Sequence, residues 1–263
     1  MLNCRKLFFI CIIFFLLFMA LKSHGQKEMV VNMPTYDKES LFHFGFVLGG
    51  DMSYVTIRPI RDLNTKIFDS TYIPDILPLP DSARVLSVTS TPTPGFVISI
   101  VCNMHLGDNF DLRFIPSLSF GDRTLIYSNE TYKNGKATVT GYISKSVPST
   151  YINFPLEVKF KSKRYNNFRA YLMGGAQYTL DLASQAKKRE QKNADQKIVK
   201  FNQNDIYAET GVGFDFYNEW FKFGIEFKML YGLMDVLKHE GNIYTESIES
   251  MKSKIFQISL TFE

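Results

Sequence analysis

The residue types that could carry chemistry are few in this chain, and they are scattered. His43, His105 and His239 fall in different regions, with no pair at metal-ligand spacing. Beyond residue 25 the chain has a single cysteine, Cys102, so neither a thiolate metal site nor an intramolecular disulfide has its second sulfur. No histidine is placed to activate that thiol as a nucleophile. Asp51, Ser53 and His239 have the types of a hydrolase or acyltransferase site at a barrel rim, but they lie in separate segments. The glycine stretches "LGGD" (from Leu48) and "GVGFD" (from Gly211) lack the Lys-Ser/Thr and following helix of a phosphate loop. The expectation is a protein with no catalytic residues, no cofactor, no metal and no small-molecule substrate.

A different set has a regular spacing. Arg113, Glu157, Lys159, Arg169, Asp181, Glu209, Glu226 and Lys228 each alternate with apolar neighbours. Both signs are present, so the chemistry open to them is mutual pairing. If they lie inside a barrel they must pair, because an unpaired buried charge costs several kcal/mol or more. "FDLRFIPSLSF" (Phe110 to Phe120) shows the pattern: Phe110, Leu112, Phe114, Pro116, Leu118 and Phe120 alternate with Asp111, Arg113, Ile115, Ser117 and Ser119. A period of two is a strand with one apolar and one polar face.

About eight such stretches recur from Phe42 to the last residue, each close to the ~9–11 residues that cross a bilayer at a tilt. Their connections alternate in length. Those near Gly107, Arg164 and Tyr217 are short, whereas Arg58–Pro94, Asn129–Ser149, Ala183–Asn204 and Gly232–Ser253 read as long polar loops. Tight turns at one end and long loops at the other suit an outer-membrane barrel with both termini on the periplasmic side. The polar phase is also rich in glycine, at Gly45, Gly49, Gly175, Gly211, Gly213 and Gly224. Glycine weakens a solvated strand without return, whereas a narrow lumen needs small residues. The apolar phase is therefore assigned to outer-membrane lipid and the charged phase to the lumen. Tyr217 and Trp220, beside the turn after the sixth strand, are expected in an interfacial aromatic girdle. Pro116 and Pro155 fall inside strands, where bulges are expected to absorb them.

The N-terminus carries an address. Arg5 and Lys6 precede the apolar run "LFFICIIFFLLFMAL", and Ser23 and Gly25 stand at the −3 and −1 positions of a cut before Gln26. This is the pattern of a secretory signal peptide over residues 1–25, and its run is shorter than the ~20 residues of a spanning helix. A periplasmic lead-in (26–40) and a single barrel domain (41–263) follow. The leader holds three basic and no acidic residues, so its removal takes the formal charge from +4 to +1. A chain so nearly neutral implies no nucleic-acid partner.

The strands also carry a resemblance. "FHFGFVLGGDMSY" at Phe42, "PGFVISIV" at Pro94, "LRFIPSLSFGDRTLIY" at Leu112, "STYINFPLEVKFKSKR" at Ser149, "DIYAETGVGFDFYNEWFKFGIEFK" at Asp205 and "SKIFQISLTFE" at Ser253 resemble the PorT/SprT family, in order, from about residue 41 to 263. The resemblance implies a non-enzymatic, eight-stranded outer-membrane β-barrel of the type IX secretion system of Gram-negative bacteria. It also implies partners among other components of that machinery and cargo proteins with C-terminal sorting domains. Residues alone leave open a structural or adhesion barrel, or a rim-active enzyme.

Overall fold

The computed structural model describes residues 30–36, 40–72, 80–182 and 199–263, apart from the side chains of 138–140. The leader and its cut between Gly25 and Gln26 lie outside the described residues. Every named strand pairing is antiparallel. In chain order the elements are β1 (Phe42–Pro59), β2 (Phe68–Asp69), β3 (Ser82–Thr91), β4 (Thr93–His105), β5 (Phe110–Phe114), β6 (Ser117–Lys133), β7 (Lys136–Lys161), β8 (Phe168–Asp181), β9 (Lys200–Phe201), β10 (Asn204–Tyr217), β11 (Lys222–Gly232), β12 (Leu237–Lys238), the short helix α1 (Ile243–Glu246) and β13 (Ile248–Phe262).

Eight crossings form a ring. β3 and β4 make up the second crossing and β5 and β6 the third; β1, β7, β8, β10, β11 and β13 supply the others. The ring closes because β1 pairs on one side with β13, from Phe46↔Phe262, and on the other with β4, from Phe42↔Met104. Alternation decides the faces. Phe44, Phe46, Ile98, Ile100, Phe114, Leu118, Leu156, Val158, Leu172, Val212, Phe227 and Ile258 are exposed on the outside, while their sequence neighbours are buried or half-buried. An outer face this apolar is matched to hydrocarbon rather than water.

Cys102 shares that outward row, half-buried between Phe44 on β1 and Phe114 on β5. In intact membranes a water-soluble maleimide is expected to leave Cys102 unlabelled, and labelling should appear only after denaturation. Ready labelling in the membrane would put this face in water.

The two in-strand prolines are absorbed without bulges, contrary to the expectation. Pairings on both sides of 115–116 keep one register, with Phe114↔Leu156 and Ser117↔Asn153 toward β7, and Cys102↔Phe114 and Ser99↔Ser117 toward β4. Each proline instead forfeits one bond of a reciprocal pair. The Ile115 N–H donates to the Pro155 carbonyl at 3.2 Å and the Ile100 N–H to the Pro116 carbonyl at 3.1 Å, so only the proline's own donor is missing. Register slips lie elsewhere, at Arg58/Pro59, Val85/Ser87 and Thr131/Tyr132 toward the loop end and at one further place nearer the membrane. Between Thr91↔Thr124 and Gly95↔Gly121 one strand advances four residues and its partner three, around Pro92.

The connections differ from the long polar loops expected. β7 runs for 26 residues, far more than a crossing needs. It continues past the bilayer with β6 and β3 as a sheet, and β6 and β7 are joined at Asn134-Gly135, both with positive φ. An Asn-Gly pair is what a two-residue hairpin turn demands. Within Gly232–Ser253 the chain forms β12, which pairs with β9, then α1 and the start of β13. Asn242 caps α1: its side chain accepts from the Tyr244 and Thr245 N–H groups at 3.1 and 2.9 Å.

These segments bury an apolar core beyond the membrane. Val55, Leu63, Phe68, Ala83, Val85, Leu125, Tyr127, Val199, Phe201, Val236, Leu237, Ile243, Tyr244, Ile248 and Met251 form one cluster. Each fully buried side chain of this size contributes ~1.5–3 kcal/mol. The loop end is thus a folded cap.

Candidate functional site

The inward row of the barrel builds the candidate site, and it is filled from end to end. At the turn end the described part of the lead-in plugs the mouth. Asn32 donates from its backbone N–H to Asn167 Oδ1 at 2.8 Å and from its side chain to the Tyr217 carbonyl at 3.0 Å, and Arg164 donates to the Met33 carbonyl at 2.9 Å. The Tyr36 ring stacks on His43 at 4.1 Å, lies edge-on to Tyr217 at 5.9 Å and has Lys222 Nζ over it at 4.8 Å. Burial raises the Tyr36 hydroxyl above the usual phenol range.

Above the plug lies an ion-pair lattice. Arg113, fully buried, donates to Glu226 at 2.7 Å and lies 3.5 Å from Glu157 and 3.7 Å from Glu263. Lys228 pairs with Glu157 and lies 3.4 Å from Glu226. Lys159 reaches Asp215 at 2.8 Å, Lys161 reaches Asp111 at 2.6 Å and Lys222 reaches Glu263 at 2.7 Å. His105 Nδ1 stands 2.9 Å from Asp111. The Tyr171 hydroxyl donates to Glu226 at 2.8 Å, and Lys159 sits 3.6 Å over the Tyr171 ring. That ring can cross the lumen because Gly213 faces it. A Cβ at Gly213 would stand 2.3 Å from the Tyr171 ring.

The structure therefore brings five of the anticipated charges together: Arg113, Glu157, Lys159, Glu226 and Lys228. Glu209 is buried beside Glu157 and Lys228, but its Oε1 accepts no hydrogen bond. Arg169 and Asp181 are buried at opposite ends of β8, Arg169 near the Tyr217 ring at 5.7 Å and Asp181 at the loop end. Asp111, Asp215, Lys161, Lys222 and Glu263 complete the lattice. They share the inward phase with the anticipated set, and that parity is the signal that identifies them.

Tyr217 is not in a girdle. It is 2% exposed and points inward, with Arg164 3.7 Å over its ring. Parity explains the difference: Phe216 takes the outward row, so the next residue must face the lumen. Trp220 is 86% exposed on the turn. The aromatic band at this end is phenylalanine, through Phe110–Phe160, Phe168–Phe216, Phe216–Phe223, Phe223–Phe262 and Phe46–Phe262 contacts at 4.8–6.3 Å.

Nearer the loops the ion-pair lattice gives way to a network of amide and hydroxyl side chains. Asn153 donates to Ser117 and Ser119 at 3.1 and 3.2 Å, accepts from Thr179 at 2.9 Å, and Thr179 accepts from Gln177 at 3.0 Å. A cavity of about 10 Å³ here, lined by Asp51, Asn153, Thr179 and Tyr207 among others, has room for one water. Arg123 spans the next level, donating to the Tyr207 hydroxyl at 3.0 Å and lying over Tyr151 and, in the cap, Phe201. No hydrogen bond links any two of Asp51, Ser53 and His239; His239 instead lies 3.8 Å from Glu246 in the cap. No group of three potential metal ligands occurs among the described residues.

A closed ring of eight antiparallel strands, apolar outside and charge-paired inside, is an outer-membrane β-barrel. Residues 26–238 match the model of the family described as outer membrane protein beta-barrel domain, and the chain belongs to that family. The protein is located in the outer membrane. No curated protein matches the chain at a significant level. Similar solved structures include OprG from Pseudomonas aeruginosa, with 10% identity over 83% of this chain and 93% of that one and a TM-score of 0.40. The N-terminal β-barrel domain of P. aeruginosa OprF shares 10% identity over 82% and 96% at a TM-score of 0.30. The outer membrane protease OmpT from Escherichia coli shares 9% over 84% and 94% at 0.36. At these scores the likenesses carry no argument about activity.

Proposed function

We propose that this barrel is a non-enzymatic subunit of an outer-membrane protein-export machinery, of the type IX class. The observation that carries a rim-acting role is the filled interior. Among the described residues the turn-end plug, the ion-pair lattice and the folded cap fill the lumen, which supports action through the barrel's surfaces rather than by conduction. The resemblance of six ordered segments to the PorT/SprT family supplies the export reading. Partners are then membrane lipid, other components of the machinery and, at the rims, cargo with C-terminal sorting domains.

Deletion of the gene tests this reading. Cargo bearing sorting domains is expected to be lost from the cell surface and medium and to accumulate unprocessed inside the cell. Normal display and processing of that cargo would overturn the export role and favour a structural or adhesion barrel.

A further inference from the structure

The outward row of β13 changes character partway along. From the turn end it carries Phe262, Leu260, Ile258 and Phe256, and then two lysines, Lys254 and Lys252. Eight residues separate Phe262 from Lys254. At ~3.3 Å per residue and a tilt of ~40° that is about 20 Å of height, close to the ~25 Å apolar band of such barrels. The lysines therefore stand where the band ends on the loop side, at the outer leaflet's headgroups.

Their neighbours form a site. Lys254 lies on one rung between Tyr54 of β1 and Tyr231 of β11, with Met52, Phe256 and Met229 on the rung below. Lys254 Nζ sits 5.8 Å over the Tyr54 ring and 5.5 Å over Phe256, and Lys252 Nζ sits 5.8 Å over Tyr231. Neither lysine forms an ion pair, among the described residues, whereas nearby Arg58 is paired with Glu249 at 3.2 Å. No other basic side chain occupies the outward rows of β4, β5, β8, β10 or β11. Two uncompensated ammonium groups on a lipid-facing surface, braced by aromatic rings, complement an anion held at headgroup depth.

We propose that Lys252 and Lys254, flanked by Tyr54 and Tyr231, bind the phosphate groups of an outer-leaflet glycolipid of the lipid A type. The lysines bind the phosphates, and the apolar rungs below them receive acyl chains. Binding is thus confined to one side of the barrel and fixes which side faces ordered lipid.

The test is native mass spectrometry of the purified barrel in detergent, titrated with bisphosphorylated lipid A, with its dephosphorylated form, and with inorganic phosphate as competitor. Phosphorylated lipid is expected to be retained, dephosphorylated lipid to bind much more weakly, and equimolar inorganic phosphate not to displace the lipid. A Lys252→Gln/Lys254→Gln double variant should lose about 30-fold in affinity, at ~1 kcal/mol per surface lysine. A Lys252→Arg/Lys254→Arg variant should keep its affinity. Equal binding by the glutamine variant, equal binding of both lipid forms, or displacement by inorganic phosphate would each overturn the assignment. If the glutamine variant fails to fold, the comparison of the two lipid forms on the unaltered barrel decides.

Discussion

Replacing Arg113 with methionine is expected to lower the unfolding free energy of the barrel by about 3–5 kcal/mol, the cost of breaking a buried ion pair by removing one partner. Arg113 has no exposure and holds Glu226, Glu157 and Glu263 within 2.7–3.7 Å. Once the guanidinium is gone, three carboxylates share a volume in which Lys228, Lys222 and Lys159 are left to oppose them. Urea unfolding in detergent, followed by the gel shift between folded and heated forms, measures the loss. Adding Glu226→Gln to the variant should recover part of it, because the second change removes one stranded charge. A loss below about 1 kcal/mol would mean that the lattice is wetter and softer than its geometry implies.

The second large effect belongs to the cap. Tyr244 is 1% exposed and meets Tyr127 edge-on at 4.9 Å, between Ile243 and the strands that reach the cap. Tyr244→Ala removes a buried ring at a cost of about 3–5 kcal/mol, the range for large aromatic truncations. The loss should be local, because the cap and the membrane ring bury different surfaces. External protease is therefore expected to cut the loop-end segments at least 100-fold faster, while the transmembrane part keeps its heat-dependent gel shift. Unchanged protease resistance would show that the cap does not depend on this ring.

Much of the architecture can be read from parity alone. The row Asp111, Arg113, Ile115, Ser117 and Ser119 is inward and buried, and Phe110, Phe114, Leu118 and Phe120 are outward and exposed. The same rule locates the lattice residues Asp215 and Lys222, which follow the inward phase of their strands, and it places Tyr217 inside despite its position beside a turn. The cap was hidden for a different reason. Its apolar residues come singly or in pairs, as Leu63, Phe68, Val199-Phe201, Val236-Leu237 and Ile243-Tyr244, from connections that are polar on average. Only the strand extensions, among them Ala83-Val85 and Leu125-Tyr127, carry the strand period into the cap, and the connections that complete it show none. The Asn134-Gly135 turn was a further local signal there, and it marks the hairpin that extends the sheet. The in-strand prolines kept their register because each sits in a reciprocal pair whose other bond survives, and residue type alone does not indicate which half of a pair a proline will occupy.

The cap also constrains how the protein enters its membrane. Leu63, Phe201 and Tyr244 reach the common core from three separate connections, and Tyr127 from the extension of β6. The core is complete only after all of these segments have crossed the bilayer, and once joined it is too bulky to return through a ring of eight strands. Its formation therefore acts as a pawl on insertion: reversal requires the cap to melt first, which makes departure from the membrane slow even where the strands themselves are only modestly stable.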